Sequence, residues 1–200
     1  MMHLDNPSYV CYSIFVTQDP QEAKINIFYL SKDPIEATQM MVDKHVVKMI
    51  LESAQLLSTA HRILDGVPYA AKSASGRQVK RWRLDDDRES VLYSATHVNH
   101  PSAVWCRESS GHYRWLYWHF VGLIDEYYHR YGKVHKCDSM KQFLVDIPNN
   151  IKHLAFTQPP PAMDKSYIIS EDSVANYRNY YSQGKSHLHK YTNRNAPEWL

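Results

Sequence analysis

Apolar side chains recur at three- and four-residue spacing over residues 34–64, which is the period of one face of an α-helix. The positions that carry this period are Val42, Val46, Met49, Ile50, Leu56, Leu57, Ala60, Ile63 and Leu64. Asp33 can cap such a helix, Pro34 suits its first turn, and Gly66 follows as a stop signal. The spacing therefore predicts one long helix over residues 34–64.

A second helical pattern begins at Pro101, which Asn99 or His100 can cap, and it ends at Gly132. Its repeating positions are Trp105, Ser109, His112, Leu116, Phe120, Leu123, Tyr127 and Tyr131. The aromatic residues of this segment lie on more than one helical face. We therefore predict a second long helix whose rings mostly enter the core.

Two segments outside these helices predict other structure. Residues 25–30, with the sequence Ile-Asn-Ile-Phe-Tyr-Leu, are typical of a short strand. Residues 67–95 are polar, which predicts a surface insertion with room for a short helix. The cations of this insertion are Arg77, Lys80, Arg81 and Arg83, and an Asp85-Asp86-Asp87 run follows them.

The fold class that follows is mainly α. We expect a single compact helical domain over residues 25–200, built on two long helices, with a short N-terminal strand or hairpin. Residues 1–24 form an N-terminal extension in this interpretation. Further short helices are predicted near residues 139–145 and 171–182, and ordered coil over residues 185–200.

The composition is that of a globular chain, with 44% hydrophobic and 22% charged residues among 200. No apolar run approaches the roughly 18 residues that a membrane span needs. The N-terminus lacks the features of a secretory signal, so we expect a cytoplasmic protein without a membrane partner. The net charge of +2 neither favours nor excludes a nucleic-acid partner, because phosphate binding depends on local clusters. The oligomeric state is left open.

The three cysteines, Cys11, Cys106 and Cys137, are scattered and form no CxxC pair. This spacing favours reduced thiols over a disulfide framework or a zinc site. The histidines show no established metal-ligand spacing either. The sequence predicts neither a bound metal nor a cofactor.

Four polar residues of the first predicted helix, His45, Lys48, Glu52 and Gln55, share one stripe at i, i+3, i+7 and i+10. From His45 to Glu52 the stripe spans about 10 Å, enough to line one side of a nucleotide-sized pocket. The same spacing is more often that of a solvated helix flank with an ordinary Lys48–Glu52 ion pair. Spacing alone leaves both interpretations open.

Polar groups also gather at the start of the second predicted helix. His97, Asn99 and His100 precede its first turn, where free N–H groups favour an anionic ligand such as a phosphate. Helix capping by Asn99 or His100 is the competing explanation. Arg107, two turns into the helix, is a further candidate for substrate positioning.

The C-terminal segment interleaves rings and cations: Arg178, Tyr180, Tyr181 and Lys185. This combination is typical of a surface that stacks on bases and contacts phosphates. The same composition can also dock a terminal helix onto the core.

Five short sequence segments, which follow one another in order over residues 25–200, together resemble one family. They are Asn-Ile-Phe-Tyr-Leu at 26–30, Asp-Lys-His at 43–45 with Glu52 seven residues later, Asn-His-Pro at 99–101, Tyr-His-Arg-Tyr-Gly at 128–132 and Tyr-Arg-Asn-Tyr-Tyr at 177–181. The set resembles the phage-type pyrimidine dimer DNA glycosylases, also called the endonuclease V family.

The resemblance implies a compact, mainly helical enzyme that flips a nucleotide out of damaged duplex DNA, cleaves the glycosidic bond and then cleaves the backbone. The family's catalytic glutamate falls on Glu52 and its histidine on His45. The family's arginine before the glutamate falls on Leu51, which departs from the pattern, so its role passes to Lys48 or is absent. The family's nucleophile is an N-terminal α-amine, whereas 24 residues precede the matching segment here. A lysine nucleophile, Lys48 or Lys44, is the alternative.

We therefore expect a DNA base-excision enzyme of the glycosylase/AP lyase type, acting on damaged or modified duplex DNA. A phage enzyme that modifies or hydrolyses a nucleotide is one alternative, and a non-catalytic DNA- or partner-binding helical module is another. The expected catalytic residues are Glu52, Lys48 and His45. The expected substrate- or DNA-binding residues are Lys44, Gln55, His97, Asn99, His100, Arg107, Arg178, Tyr180, Tyr181 and Lys185.

Overall fold

The computed structural model of the protein describes residues 25–73 and 75–200. The predicted N-terminal extension, residues 1–24, lies outside the described residues, as does Cys11. Within the described ranges the chain is mainly α, which confirms the coarse prediction of the fold class. The helices are α1 (Pro34–Gln39), α2 (Asp43–Asp65), α3 (Arg88–Val91), α4 (Pro101–Glu108), α5 (Ser110–Tyr131), α6 (Lys141–Leu144) and α7 (Ser173–Gly184), and the strands are β1 (Val67–Lys72) and β2 (Gln78–Arg83).

The first predicted helix is divided into α1 and α2, so the expectation of one helix over residues 34–64 is wrong. Asp33 caps α1 as predicted, with its carboxylate accepting from the backbone N–H of the second and third helical residues. The break has a tertiary cause. The Asp43 N–H donates to the Lys190 carbonyl at 2.9 Å, and the Gln39 carbonyl accepts from Arg130 at 3.2 Å. Both backbone groups therefore lack the partners that a continuous helix would give them.

The second predicted helix is likewise divided, at Ser109, into α4 and α5. Ser109 has an extended backbone (φ −145°, ψ 140°), and its hydroxyl accepts from the Gly111 N–H at 3.1 Å. The same hydroxyl donates to the Leu154 carbonyl at 2.6 Å, and Ser110 N donates to Lys152 O at 2.9 Å. The residue expected on the helical face instead caps a new helix against a distant loop.

The predicted N-terminal strand is not formed: residues 25–30 are buried but have no strand partner. The strands lie instead in the predicted polar insertion, where β1 and β2 form an antiparallel hairpin with Val67 opposite Arg83 and Lys72 opposite Gln78. The short helix expected in this insertion is α3. In place of a ladder, side chains accept from the N–H groups of Asn26, Ile27 and Phe28, and the Arg178 side chain donates to the Leu30 carbonyl.

Helices α2 and α5 pack against each other, α1 packs on α5, and α4 contacts both long helices. The largest fully buried side chains are aromatic, with Tyr29 from the N-terminal segment, Tyr113 and Phe120 from α5, and Tyr177 and Tyr181 from α7. The core therefore joins the N-terminal segment and α7 to the helix pair. This packing brings residues from distant parts of the sequence to the N-terminal half of α2.

A buried ion network fastens the C-terminal segment to this core. The Arg130 side chain is fully buried and contacts Asp43 at 2.9 Å and Glu126 at 2.7 Å. Thr192 donates to Asp43 through both its N–H and its hydroxyl, and Arg194 pairs with Glu126 at 2.8 Å. Burial alone would raise the pKa of the Asp43 carboxyl, but the bonds from Thr192 and Arg130 lower it below its ordinary value.

The described residues also bear on the thiols, on membrane spans and on metal ligands. Cys106 and Cys137 are buried free thiols, and burial raises the pKa of each. Among the helices that the structure describes, none combines the length and the apolar character needed to cross a membrane. Within residues 25–73 and 75–200, no three histidine, cysteine, aspartate or glutamate side chains are grouped as metal ligands.

Candidate functional site

The candidate site centres on Glu52, in the N-terminal half of α2. Only 9% of this residue is exposed. Its Oε2 accepts a hydrogen bond from the Asn26 backbone N–H at 2.9 Å, and its Oε1 lies 3.4 Å from the Lys48 Nζ. A carboxylate held between an N–H donor and an ammonium group is stabilised as an anion and fixed in direction.

Asn26 shapes the segment that meets Glu52. Its Oδ1 accepts from the backbone N–H groups of Ile27 at 2.7 Å and Phe28 at 3.0 Å, and its Nδ2 donates to the Ala162 carbonyl at 2.9 Å. One side chain thus replaces the strand ladder that residues 25–30 lack and ties the segment to the loop before α7. The Asn26 N–H is thereby aimed at Glu52.

Phe28 is the second unusual residue of this segment. Its φ of 51° lies in the left-handed region, which a bulky side chain rarely adopts. Its ring stacks on His45 with a centroid distance of 4.1 Å and on Tyr180 at 6.2 Å. The backbone strain, on the order of 1–3 kcal/mol, is held by the surrounding packing and positions the ring between α2 and α7.

His45 is the residue that α2 contributes to this stack, and it is 3% exposed. Its Nδ1 is 2.6 Å from the Tyr181 hydroxyl, which also accepts from Val42 N at 3.3 Å. Burial lowers the pKa of His45 well below its ordinary value, and the nearby charges of Lys185 and Lys48 act in the same direction. The imidazole is therefore neutral, and its Nδ1 shares a hydrogen bond with the Tyr181 hydroxyl.

The C-terminal candidates surround the stack from the other side. Tyr181 is fully buried, so it supports His45 from within the core rather than presenting its ring to solvent. Lys185 is 4% exposed and its Nζ lies 5.3 Å from the centroid of the Tyr180 ring. Arg178 is engaged elsewhere: its Nε donates to the Leu30 carbonyl at 2.9 Å. Arg178 therefore fastens α7 to the N-terminal segment.

The remaining candidates on α2 lie around Glu52 on the helix surface. Lys44 is exposed and Gln55 is half-buried. The structure thus brings together His45, Lys48, Glu52, Tyr180, Tyr181 and Lys185, which came from two separate parts of the sequence.

A second group, His97, Asn99, His100 and Arg107, surrounds the start of α4. His100 caps the helix, with its Nδ1 accepting from the Ser102 N–H at 3.2 Å. His97 and Asn99 are exposed, and His97 has a left-handed φ of 49°. Arg107 donates to the Val98 carbonyl at 2.7 Å and so holds this turn against α4.

The turn before α4 lies beside α2. Thr59 Oγ1 donates to Thr96 O at 3.2 Å and accepts from Thr96 N at 3.1 Å, which fixes the turn beside α2. Thr59 follows Glu52 by seven residues, about 10 Å along the axis and on the same side of the helix. Arg107 also lines an open cleft of about 680 Å³, together with His112 and Lys152.

Sequence reasoning missed Asn26 and Phe28 as site residues. Both belong to the Asn-Ile-Phe-Tyr-Leu segment. Asn26 contacts Glu52 through its backbone N–H, however, and a pattern of side chains does not reveal a backbone contact. The signal that could have identified Asn26 is a buried-strand pattern interrupted by an asparagine, which is depleted in strands and favoured in turns.

Comparison of the chain with known protein families, curated proteins and solved structures gives no match. The resemblance to the pyrimidine dimer DNA glycosylases therefore stays a prediction.

Proposed function

We propose that this protein is a DNA base-excision enzyme that cleaves a glycosidic bond in damaged duplex DNA, with Glu52 as its central carboxylate and Lys48 as its attacking amine. One observation carries the proposal: a largely buried glutamate has one oxygen fixed by the Asn26 N–H and the other beside a lysine ammonium. An ordinary solvated helix flank would leave this carboxylate in water.

The role of Glu52 follows from its surroundings. Cleavage of a glycosidic bond builds positive charge on the sugar, and a fixed carboxylate in a partly dry site stabilises that charge more strongly than water does. The same carboxylate can carry protons as the sugar ring opens. The Asn26 N–H holds Oε2 in place, so the carboxylate is already oriented before the reaction begins.

The attacking amine proposed for this chain differs from the N-terminal α-amine that the resemblance implies. Within the described residues, a backbone nitrogen that contacts Glu52 is that of Asn26, and it is an amide because residue 25 precedes it. An amide nitrogen is a poor nucleophile. Lys48 offers a primary amine 3.4 Å from Glu52, with 36% of its side chain exposed to an approaching substrate. To attack, this amine must first lose a proton, and Glu52 is placed to receive it.

In the proposed reaction, Glu52 first takes a proton from the Lys48 ammonium. The neutral Lys48 amine then forms a bond to C1′ of the deoxyribose while the bond from C1′ to the base breaks. The base leaves with the electron pair and takes up the proton from Glu52, which becomes a carboxylate again beside the cationic sugar. Ring opening turns the amine adduct into an imine. Loss of the C2′ proton then expels the 3′ phosphate, and water hydrolyses the imine and returns the lysine.

His45 is a positioning residue in this proposal. Its neutral ring orders Phe28 and Tyr181, and through them the segment that carries Asn26. The exposed Lys44 precedes Glu52 by eight residues of α2, and the turn before α4 contacts α2 at Thr59, seven residues after Glu52. These residues are placed to contact the DNA backbone on either side of the damaged nucleotide.

The test is trapping of the imine. The protein is incubated with duplexes that contain an abasic site or a thymine dimer under borohydride, which reduces an imine to a stable amine. We expect a protein–DNA band on a denaturing gel for the wild type and for Lys133→Arg, an exposed control lysine. Lys48→Arg keeps the positive charge beside Glu52 but removes the primary amine, and Glu52→Gln keeps an oxygen for the Asn26 N–H. Both variants are expected to lose the band.

The outcomes separate the alternatives. Folding of every variant is checked by thermal unfolding, so that loss of the band is not loss of the fold. A folded wild type that gives no band overturns the lyase mechanism. A band that persists in Glu52→Gln overturns the role of the carboxylate. Release of product from a free nucleotide without binding to duplex DNA would instead establish nucleotide chemistry.

A further inference from the structure

The β1–β2 hairpin carries a strong positive charge that the proposed reaction does not use. Between Gly66 and Leu84 the sequence has no aspartate or glutamate, and its cations are Lys72, Arg77, Lys80, Arg81 and Arg83. The acidic run at 85–87 follows β2, where Asp86 is paired with Arg88 at 2.7 Å. The positive charge therefore belongs to the two strands and their turn.

The hairpin presents this charge on both of its faces. Paired residues of an antiparallel ladder share a face, and successive residues alternate between faces. Tyr69 lies opposite Arg81, while Lys80 lies opposite Ala70 and places its Nζ 5.2 Å from the Trp82 ring. Tyr69 and Val67 are 47% and 62% exposed. Rings and cations thus alternate on a ribbon that the body of the protein leaves largely uncovered.

The base of the hairpin is rigidly anchored. Arg62, near the end of α2, is 5% exposed and donates to the Trp82 carbonyl at 3.0 Å. The same guanidinium pairs with Glu89 at 2.7 Å, and Glu89 accepts from the Leu84 N–H at 2.8 Å. An isolated two-stranded hairpin is marginally stable in water. This buried arginine holds the ribbon in a fixed direction relative to α2.

We propose that this hairpin is a second contact surface for duplex DNA, separate from the residues around Glu52; the inference rests on the proposed function. The charge requires an anionic partner, and a two-stranded ribbon has the width that the major groove admits. The base of the hairpin follows Glu52 by fourteen residues of α2, about 21 Å of helix rise. That distance corresponds to about six base pairs of duplex.

The ribbon therefore lengthens the DNA footprint beyond the damaged nucleotide. Its cations contact phosphates, and each such contact releases condensed counterions and steepens the salt dependence of binding. An anionic membrane surface would satisfy the charge as well, and the experiment distinguishes the two partners.

The test compares two variants with the same change in net charge. The hairpin variant replaces four exposed cations of the ribbon: K72Q/R77Q/K80Q/R83Q. The control variant replaces four exposed cations elsewhere: R114Q/K133Q/K136Q/K165Q. Affinity for a 30-base-pair duplex is measured by fluorescence anisotropy at several salt concentrations, and folding is checked by thermal unfolding. If the hairpin variant fails to fold, the single substitutions R77Q and K80Q replace it.

We expect the slope of log affinity against log salt to become shallower by about 3 to 4 in the hairpin variant, and by about 1 in each single variant. The control variant should keep the slope of the wild type. An unchanged slope in the hairpin variant, or an equal change in both variants, overturns the inference. Sedimentation with phosphatidylserine vesicles in the absence of duplex binding also overturns it, in favour of a membrane.

Failure of this inference can be told apart from failure of the proposed function. The hairpin variant keeps Lys48 and Glu52, so it should still form the borohydride-trapped adduct at low salt. A trapped adduct with an unchanged salt slope would refute the hairpin surface alone. The absence of any adduct from the wild type would refute the lyase chemistry.

Discussion

Replacing His119 tests how the aromatic core depends on neutral imidazoles. His119 lies fully buried on α5, and its ring stacks on Trp115 with a centroid distance of 5.1 Å and an interplanar angle of 17°. Among the described residues neither ring nitrogen has a hydrogen-bond partner. Burial lowers the pKa of His119 to about 3. The imidazole of His119 is therefore neutral in the folded state throughout the physiological pH range.

The magnitude follows from linkage. In the unfolded chain the imidazole has an ordinary pKa of about 6.5, so below that pH the unfolded state binds a proton that the folded state does not. A lowered histidine pKa thus leaves stability complete above pH 6.5 and reduces it as the pH falls toward the folded value. Each pH unit below pH 6.5 costs about 1.4 kcal/mol, so the roughly 1.5 units from pH 6.5 to pH 5 cost about 2 kcal/mol, and the interval from pH 8 to pH 6.5 costs almost nothing. His119→Phe keeps the ring stack and has no proton to bind.

The assay is urea unfolding of wild type and His119→Phe at pH 8 and pH 5. From pH 8 to pH 5 the free energy of unfolding should fall in both proteins. We expect this fall to be about 2 kcal/mol smaller in the variant than in the wild type. The exposed His153→Gln serves as the control and should change with pH as the wild type does. His119→Met is the substitute if the larger ring disturbs folding. Equal pH dependence in wild type and variant would refute the assignment of a neutral, partnerless His119.

Two further substitutions test the packing that positions the site. Arg130→Met leaves the carboxylates of Asp43 and Glu126 buried without their shared cation, which should lower the free energy of urea unfolding by about 3–5 kcal/mol; a loss below 1 kcal/mol would show that water reaches the network. Gly111→Ala places a Cβ 2.8 Å from the Phe156 backbone nitrogen, so we expect a loss of about 1–3 kcal/mol in the same assay. An unchanged urea midpoint for Gly111→Ala would mean that the loop around Phe156 moves to accept the methyl group without a loss of stability.

The stripe on α2 was predictable from the sequence, because helical period alone decides which side chains share a face. His45, Lys48 and Glu52 needed only three- and four-residue spacing to be placed together. Spacing could not decide between a pocket and a solvated flank. Burial of Glu52 is decided by the N-terminal segment, whose backbone meets α2 from 26 residues earlier in the chain.

The breaks in the two predicted helices were not predictable from local pattern. Ser109 fits the apolar period around it, and its role as a cap depends on the Leu154 carbonyl, which lies 45 residues away. Asp43 likewise begins α2 because Lys190 and Thr192 hold it. The hairpin was missed for a different reason. β1 is exposed over most of its length and its sequence, Val-Pro-Tyr-Ala-Ala-Lys, does not alternate apolar and polar residues, so it lacks the alternation by which a half-buried strand is recognised.

The most direct test of the proposed chemistry is to identify the amine that becomes attached to DNA. The borohydride-trapped adduct of the wild type is digested with protease and nuclease, and the modified peptide is sequenced by mass spectrometry. Attachment at Lys48 is the result that the geometry around Glu52 predicts. Attachment at an N-terminal α-amine, at Lys44 or at Lys185 would contradict the assignment of Lys48 as the nucleophile.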